Sequence, residues 1–115
     1  MSVFSRPPFD ITWIENRGEV RLILKGEVDL ATVATLAAAI EEAERLRPPT
    51  LVLDAADLTF IDASGVRVLV RAARHARRAG RRLTLCNPRP PVARMLAIVG
   101  IGDLLDIVEQ APASG

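Results

Sequence analysis

The sequence predicts an α/β domain built on a mixed sheet. Three observations carry this. A strand–turn–strand pattern opens the chain, helical stripes then alternate with short apolar runs, and 115 residues suit one compact domain.

Residues 1–8 are expected to form a flexible lead, because Pro7 and Pro8 cannot begin a regular ladder. Residues 9–14 alternate apolar and polar side chains, the period of a half-buried strand. A second strand spans 20–26, and the Asn16-Arg17-Gly18-Glu19 turn between them predicts a hairpin. Asp29 is expected to cap a helix of about 18 residues. Its apolar stripe is Val33, Leu36, Ala37, Ile40 and Ala43, and Pro48 and Pro49 stop it.

Residues 50–53 are a continuous apolar run, as expected of a strand covered on both faces. Residues 54–60 then lead into a second helix from about Ser64 to Gly80. Its buried stripe is Val66, Leu69, Val70, Ala73 and Ala76, while Arg67, Arg71, Arg74 and Arg78 share another face. Residues 82–86 form a further strand, and Pro90 and Pro91 open a third helix that runs through Val99. After the turn at 100–102, residues 103–108 form a last short helix or strand, and the tail 111–115 frays. One domain therefore covers 9–110. The crossover from 50–53 through the second helix to 82–86 is expected to be parallel and right-handed.

Composition excludes several classes. The lone Cys86 cannot form an internal disulfide, and with only His75 beside it no four-ligand zinc site of thiolates and imidazoles can form within one chain. No apolar run approaches the roughly 20 residues of a membrane span. Residues 1–10 lack the basic start and apolar stretch of a signal peptide. The expectation is a cytoplasmic protein with no membrane contact and no metal.

The net charge of +1 conceals a strong polarity. Residues 1–63 carry −5, residues 64–102 carry nine arginines and no acid, and residues 103–115 carry −3. The ordinary meaning of such a basic block is a solvated helix face; an acidic partner protein and nucleic acid are the functional alternatives.

The most informative segment is Leu58-Thr59-Phe60-Ile61-Asp62-Ala63-Ser64-Gly65. Ser64 is placed to be the N-cap of the second helix, and Gly65 leaves its hydroxyl accessible. Free N–H groups there, with the helix dipole, favour an anion such as phosphate on that hydroxyl. A plain capping serine beside a permissive glycine fits the same spacing, so both readings stand at this point.

Other chemistries fail on specific residues. A nucleophile elbow needs glycine two residues before the serine, where Asp62 stands. The only histidine, His75, lies ~16 Å further along the same helix, beyond the reach of a general base. Asp54 at a strand end resembles an aspartyl-phosphate acceptor, but the only lysine is Lys25 in the second strand and no late lysine exists. A phosphate loop of the Gly-x-x-x-x-Gly-Lys type is absent. Nucleic-acid binding has a basic helix but no aromatic platform near it, since Trp13 and the phenylalanines lie at or before residue 60. Direct nucleic-acid binding is therefore not expected.

Gly26-Glu27-Val28-Asp29 before the first helix, paired with Phe60-Ile61-Asp62-Ala63-Ser64-Gly65 before the second, resembles the STAS domain family. More closely, these residues are similar to the anti-sigma factor antagonists of bacterial partner-switching systems. The resemblance covers about residues 9–110 and implies a four- to five-stranded mixed sheet with helices packed mainly on one face. It further implies that Ser64 is phosphorylated by a cognate anti-sigma factor that is itself an ATP-dependent serine kinase. Asp29, Asp62, Ala63, Gly65 and Arg67 would then form the partner-binding phosphorylation loop and its margin. Ala63 departs from the commoner pattern, which has a second serine there.

By the same resemblance, the unphosphorylated protein binds the anti-sigma factor and frees the sigma factor. Phosphorylation ends the binding and a PP2C-type phosphatase restores it. No enzymatic activity and no cofactor are expected, and the protein is a monomer or weak dimer. The alternative is a STAS subunit of a lipid-transport ABC complex that contacts its ATPase.

Overall fold

A computed structural model describes residues 9–109. The expected lead (1–8) and tail (111–115) lie outside the described residues. Strands β1 (Asp10–Asn16) and β2 (Glu19–Val28) form the expected antiparallel hairpin. Arg17 and Gly18 both take positive φ, 46° and 85°, as a two-residue turn requires if its twist is to match the strands. Helix α1 (Val33–Arg45), strand β3 (Thr50–Ile61), helix α2 (Ala63–Arg78) and strand β4 (Arg82–Cys86) follow. Helix α3 (Pro90–Val99), a 3-10 turn at Ile101–Asp103 and strand β5 (Asp106–Val108) complete the described chain.

The sheet order is β1-β2-β3-β4-β5, with β1 antiparallel and the other strands mutually parallel. Register places Val20 and Leu22 of β2 opposite Leu51 and Leu53 of β3, which in turn face Leu83 and Leu85 of β4. This row belongs to one core with Leu36 and Ile40 of α1, Leu69 and Ala73 of α2, and Val92 and Leu96 of α3. All three helices thus bury their stripes against the same face. Each fully buried leucine there contributes about 1.5–3 kcal/mol of transfer free energy.

The opposite face carries polar pairing. The Arg21 guanidinium meets Glu19 at 3.2 Å and Asp54 at 3.4 Å, and Arg21 Nη1 donates to Cys86 Sγ at 3.5 Å. Among the described residues, no helix is long and apolar enough to cross a membrane.

Three sequence expectations change. Strand β3 does not end at residue 53 but runs to Ile61, absorbing the segment expected to be a connection. Two register shifts against β2, between Ile23 and Lys25 and between Gly26 and Glu27, each place an extra residue on β3. Bulges of this kind break the two-residue alternation, so Ala55, Leu58 and Ile61 are buried at three-residue intervals.

Helix α1 begins at Val33, four residues after Asp29, and has 13 residues. Asp29 is drawn into a turn instead of a cap. Its Oδ1 accepts the Ala31 N–H at 2.9 Å, while its own N–H donates to Thr32 Oγ1 at 3.0 Å. Third, residues 103–108 hold both alternatives, the end of a 3-10 turn followed by a strand.

Candidate functional site

The parallel pairing of β2 and β3 brings two loops to one end of the sheet. The Asp62 N–H donates to the Val28 carbonyl at 3.0 Å, tying the start of α2 to the residue before Asp29. This bond holds Asp62 in extended backbone, φ −102° and ψ −175°, from which its carboxylate can turn over the first helical turn.

Asp62, and not Ser64, is the N-cap of α2. Asp62 Oδ1 accepts the N–H groups of Ser64 at 2.9 Å and Gly65 at 3.1 Å. Ser64 sits inside the first turn, and its hydroxyl donates to the same Oδ1 at 2.5 Å. The expected cradle of free N–H groups for a phosphate is therefore not free at Ser64 and Gly65. Asp62 fills it with its own carboxylate, because an aspartate cap satisfies the same orphan donors that an anion would.

The Ser64 hydroxyl, with the Gly65 and Ser64 N–H groups behind it, holds the Asp62 carboxyl below its ordinary pKa against the opposing effect of partial burial. Asp62 is thus a firmly ionised acceptor that orients the hydroxyl, and it is too weak a base to take the proton at neutral pH.

Gly65 has a packing reason. A Cβ at this position would lie 2.5 Å from Ile61 Cγ1 and 2.7 Å from Val28 Cγ1, so only glycine lets α2 start this close to the ends of β2 and β3. Ala63 is exposed at the first helical position. Arg67 is exposed one turn further along, at i+3 from Ser64. Asp29, directly after Val28, enters the same end of the sheet on the other loop.

All the sequence-predicted site residues therefore belong to two adjoining loops and the first turns of α2. Sequence reasoning passed over two exposed apolar side chains as site residues, Leu30, 82% exposed, directly after Asp29, and Phe60, 44% exposed, near the end of β3 and two residues before Asp62. His75 is not part of this end; it is exposed, and its Nε2 meets Glu44 of α1 at 3.2 Å. Among the described residues, no group of three His, Cys, Asp or Glu is placed to hold a metal ion.

Comparison with known proteins bears on the family and the fold. Residues 13–108 match a family model described as Mlab, STAS domain. The chain belongs to the STAS domain family. A curated relative, the anti-sigma F factor antagonist of Paenibacillus polymyxa, is 28% identical over 95 residues, covering 82% of this chain and 81% of its own.

Among solved structures, an anti-sigma factor antagonist from Mycobacterium paratuberculosis superposes with a TM-score of 0.82 at 18% identity, over 90% of this chain and 88% of its own. The anti-sigma factor antagonist SpoIIAA in its unphosphorylated form gives 0.75 at 26% identity, over 90% of this chain and 89% of its own. The phosphorylated form of the Bacillus SpoIIAA gives 0.70 at 25%, over 90% and 92%. These STAS neighbours share the mixed five-stranded sheet with its helices, and the named relatives are anti-sigma factor antagonists.

Proposed function

We propose that this STAS protein is an anti-sigma factor antagonist switched by phosphorylation of Ser64. The observation that carries the reading is the Ser64 hydroxyl, held by Asp62 at 2.5 Å at the head of α2, where two loops converge. Its support includes the anti-sigma factor antagonists among its relatives, one of which is known in unphosphorylated and phosphorylated forms.

The partner is a cognate anti-sigma factor of the serine-kinase type. Ser64 Oγ forms a bond to the γ-phosphorus of ATP held by the kinase, the bond to ADP breaks, and the hydroxyl proton is released. The product carries about −1.5 to −2 charge at Ser64.

Two local consequences follow from the geometry. Esterification removes the proton that Ser64 Oγ donates to Asp62, and it sets a phosphate against the Asp62 carboxylate that already occupies the nearby N–H groups. A partner surface shaped to the bare hydroxyl, Leu30 and Phe60 then meets a dianion that has to be desolvated. A hundredfold loss of affinity needs only about 2.7 kcal/mol. A PP2C-type phosphatase returns the hydroxyl by hydrolysis. The protein itself acts as a substrate and binding module in the cytoplasm, without enzymatic activity or cofactor, as a monomer or weak dimer.

Incubation with the cognate anti-sigma kinase and ATP, read by mass spectrometry, tests the modification. Wild type is expected to gain one phosphate, mapped to Ser64, and Ser64→Ala none. An unmodified wild type, or equal labelling of Ser64→Ala, contradicts the reading.

A second reading, the STAS subunit of a lipid-transport ABC complex contacting its ATPase, draws on the description of the matching family model, Mlab, STAS domain. Co-purification separates the two: a membrane ATPase supports the second reading, and a soluble kinase supports the first.

A further inference from the structure

Ser64, Arg67, Arg71, Arg74 and Arg78 follow one another along α2 at steps of three, four, three and four residues. That spacing is the a/d pattern of a heptad, so the five side chains form one seam on a single helix face, about 21 Å from end to end. The four arginines are exposed, and none has an ion pair among the described residues. Four other arginines are coupled to carboxylates, Arg21 to Glu19 and Asp54, Arg45 to Glu42, Arg81 to Glu44 and Arg82 to Asp106, so what distinguishes the seam is the alignment of its four charges on one exposed helix face.

No counter-charge is available on the seam's own element, since residues 64–102 contain no acid. On neighbouring α1, Glu44 is already engaged by Arg81 and His75, and Glu41, which lines the groove between α1 and α2 with Arg71, forms no ion pair with the seam. Four like charges at i+3 and i+4 repel one another by a few tenths of a kcal/mol per pair, a cost that an anionic surface laid along the seam would remove.

We infer that this seam is a docking surface for an acidic segment of a partner protein, with Ser64 at its head. The inference deepens the Ser64 reading by assigning the partner's chemistry. Single-stranded nucleic acid is disfavoured because Trp13 and Phe60 lie on strands and α2 carries no Phe, Tyr or Trp to stack a base, its one imidazole, His75, being turned to Glu44 of α1; duplex DNA is an outcome of the test. A membrane surface is disfavoured because the seam interposes no exposed apolar side chain that could enter a bilayer. A protein docked on Ser64 meets the seam directly.

The same placement gives the phosphate a second effect. It stands at i+3 from Arg67 and lowers the charge of the seam from +4 to about +2, so attraction to an acidic segment falls when Ser64 is modified.

The test uses the full chain and a synthetic peptide of about 20 residues carrying Glu at successive heptad a and d positions, with a Gln-for-Glu peptide as control. Binding of the Glu peptide is expected to weaken about tenfold between ~50 and ~300 mM salt. It is expected to fall about tenfold or more in Arg71→Gln/Arg74→Gln/Arg78→Gln and further in the Glu triple variant. The Gln triple variant neutralises the seam without opposing the helix dipole, and its urea midpoint, measured beside that of wild type, separates loss of binding from a folding defect.

Equal binding of the Gln peptide, undiminished binding by both triple variants, or tighter binding of duplex DNA or phosphatidylglycerol vesicles than of the Glu peptide would overturn the inference. No kinase enters the assay. A seam that binds while Ser64 is never modified leaves the docking surface standing and removes the switch; a modified Ser64 on a seam that does not bind does the reverse.

Discussion

Ser64 and Asp62 share a single oxygen at the head of α2: Asp62 Oδ1 takes the Ser64 hydroxyl at 2.5 Å and the Ser64 N–H at 2.9 Å. The carboxylate therefore caps the helix and aims the hydroxyl in one arrangement. Structure and the proposed switch are coupled here, because a group that removes the hydroxyl proton also disturbs the cap.

Replacing Asp62 by Ala should cost about 1 kcal/mol, within the ~0.5–2 kcal/mol span of helix caps, in urea denaturation. The acid limb carries the sign. The folded-state pKa of Asp62 lies below the ordinary 3.8. Its ionised form thus contributes stability that is full above that value and is lost as pH falls through the lower folded value. Stability measured from neutral pH into this acid range should decline less steeply in Asp62→Asn than in wild type. Parallel acid limbs would count against the cap.

Gly65→Ala should destabilise by about 1–3 kcal/mol, the range for overpacking, because its Cβ would lie 2.5 Å from Ile61 Cγ1 and 2.7 Å from Val28 Cγ1. Gly102→Ala is the control, with nothing within 4 Å of the added Cβ. It should stay within about 0.5 kcal/mol of wild type in the same denaturation experiment. Equal midpoints for the two variants would contradict the close approach of α2 to the sheet.

Cys86 should be inert in the folded protein. It is fully buried at the end of β4, and burial pushes its thiol pKa up, outweighing the nearby Arg21 guanidinium. A thiol-reactive chromophore should label it at mildly alkaline pH only as fast as the chain opens, and at full rate in denaturant. Rapid labelling of native protein would mean that this face of the sheet is open.

Where local chemistry and tertiary structure agree, the sequence was legible. Strand β4 matches its five-residue run, and α3 matches the stretch between Pro90 and Gly100, whose φ of 74° supplies the left-handed stop. The hairpin follows from Arg17 and Gly18.

What stayed hidden depends on partners distant in sequence. The second half of β3 lost its alternation to register shifts set by β2. The contest between Asp62 and Ser64 for the cap, two good capping residues two apart, is decided by the Val28 carbonyl, which fixes the Asp62 backbone. Arg21 meets Asp54 and Cys86 across 33 and 65 residues, which no local pattern announces. The site residues are legible as a motif and the arginine face as i+3 and i+4 spacing; the structure adds that Ser64 lies inside the first turn of α2, at the head of that exposed face, and is not its cap.

The central claim is that Ser64 phosphorylation ends partner binding. Its most direct measurement is the Kd of the cognate anti-sigma kinase for unmodified protein and for protein stoichiometrically phosphorylated at Ser64, side by side at one salt concentration. The account predicts at least about a hundredfold weaker binding of the phosphorylated form, equivalent to ~2.7 kcal/mol. Equal affinities for the two forms would contradict it.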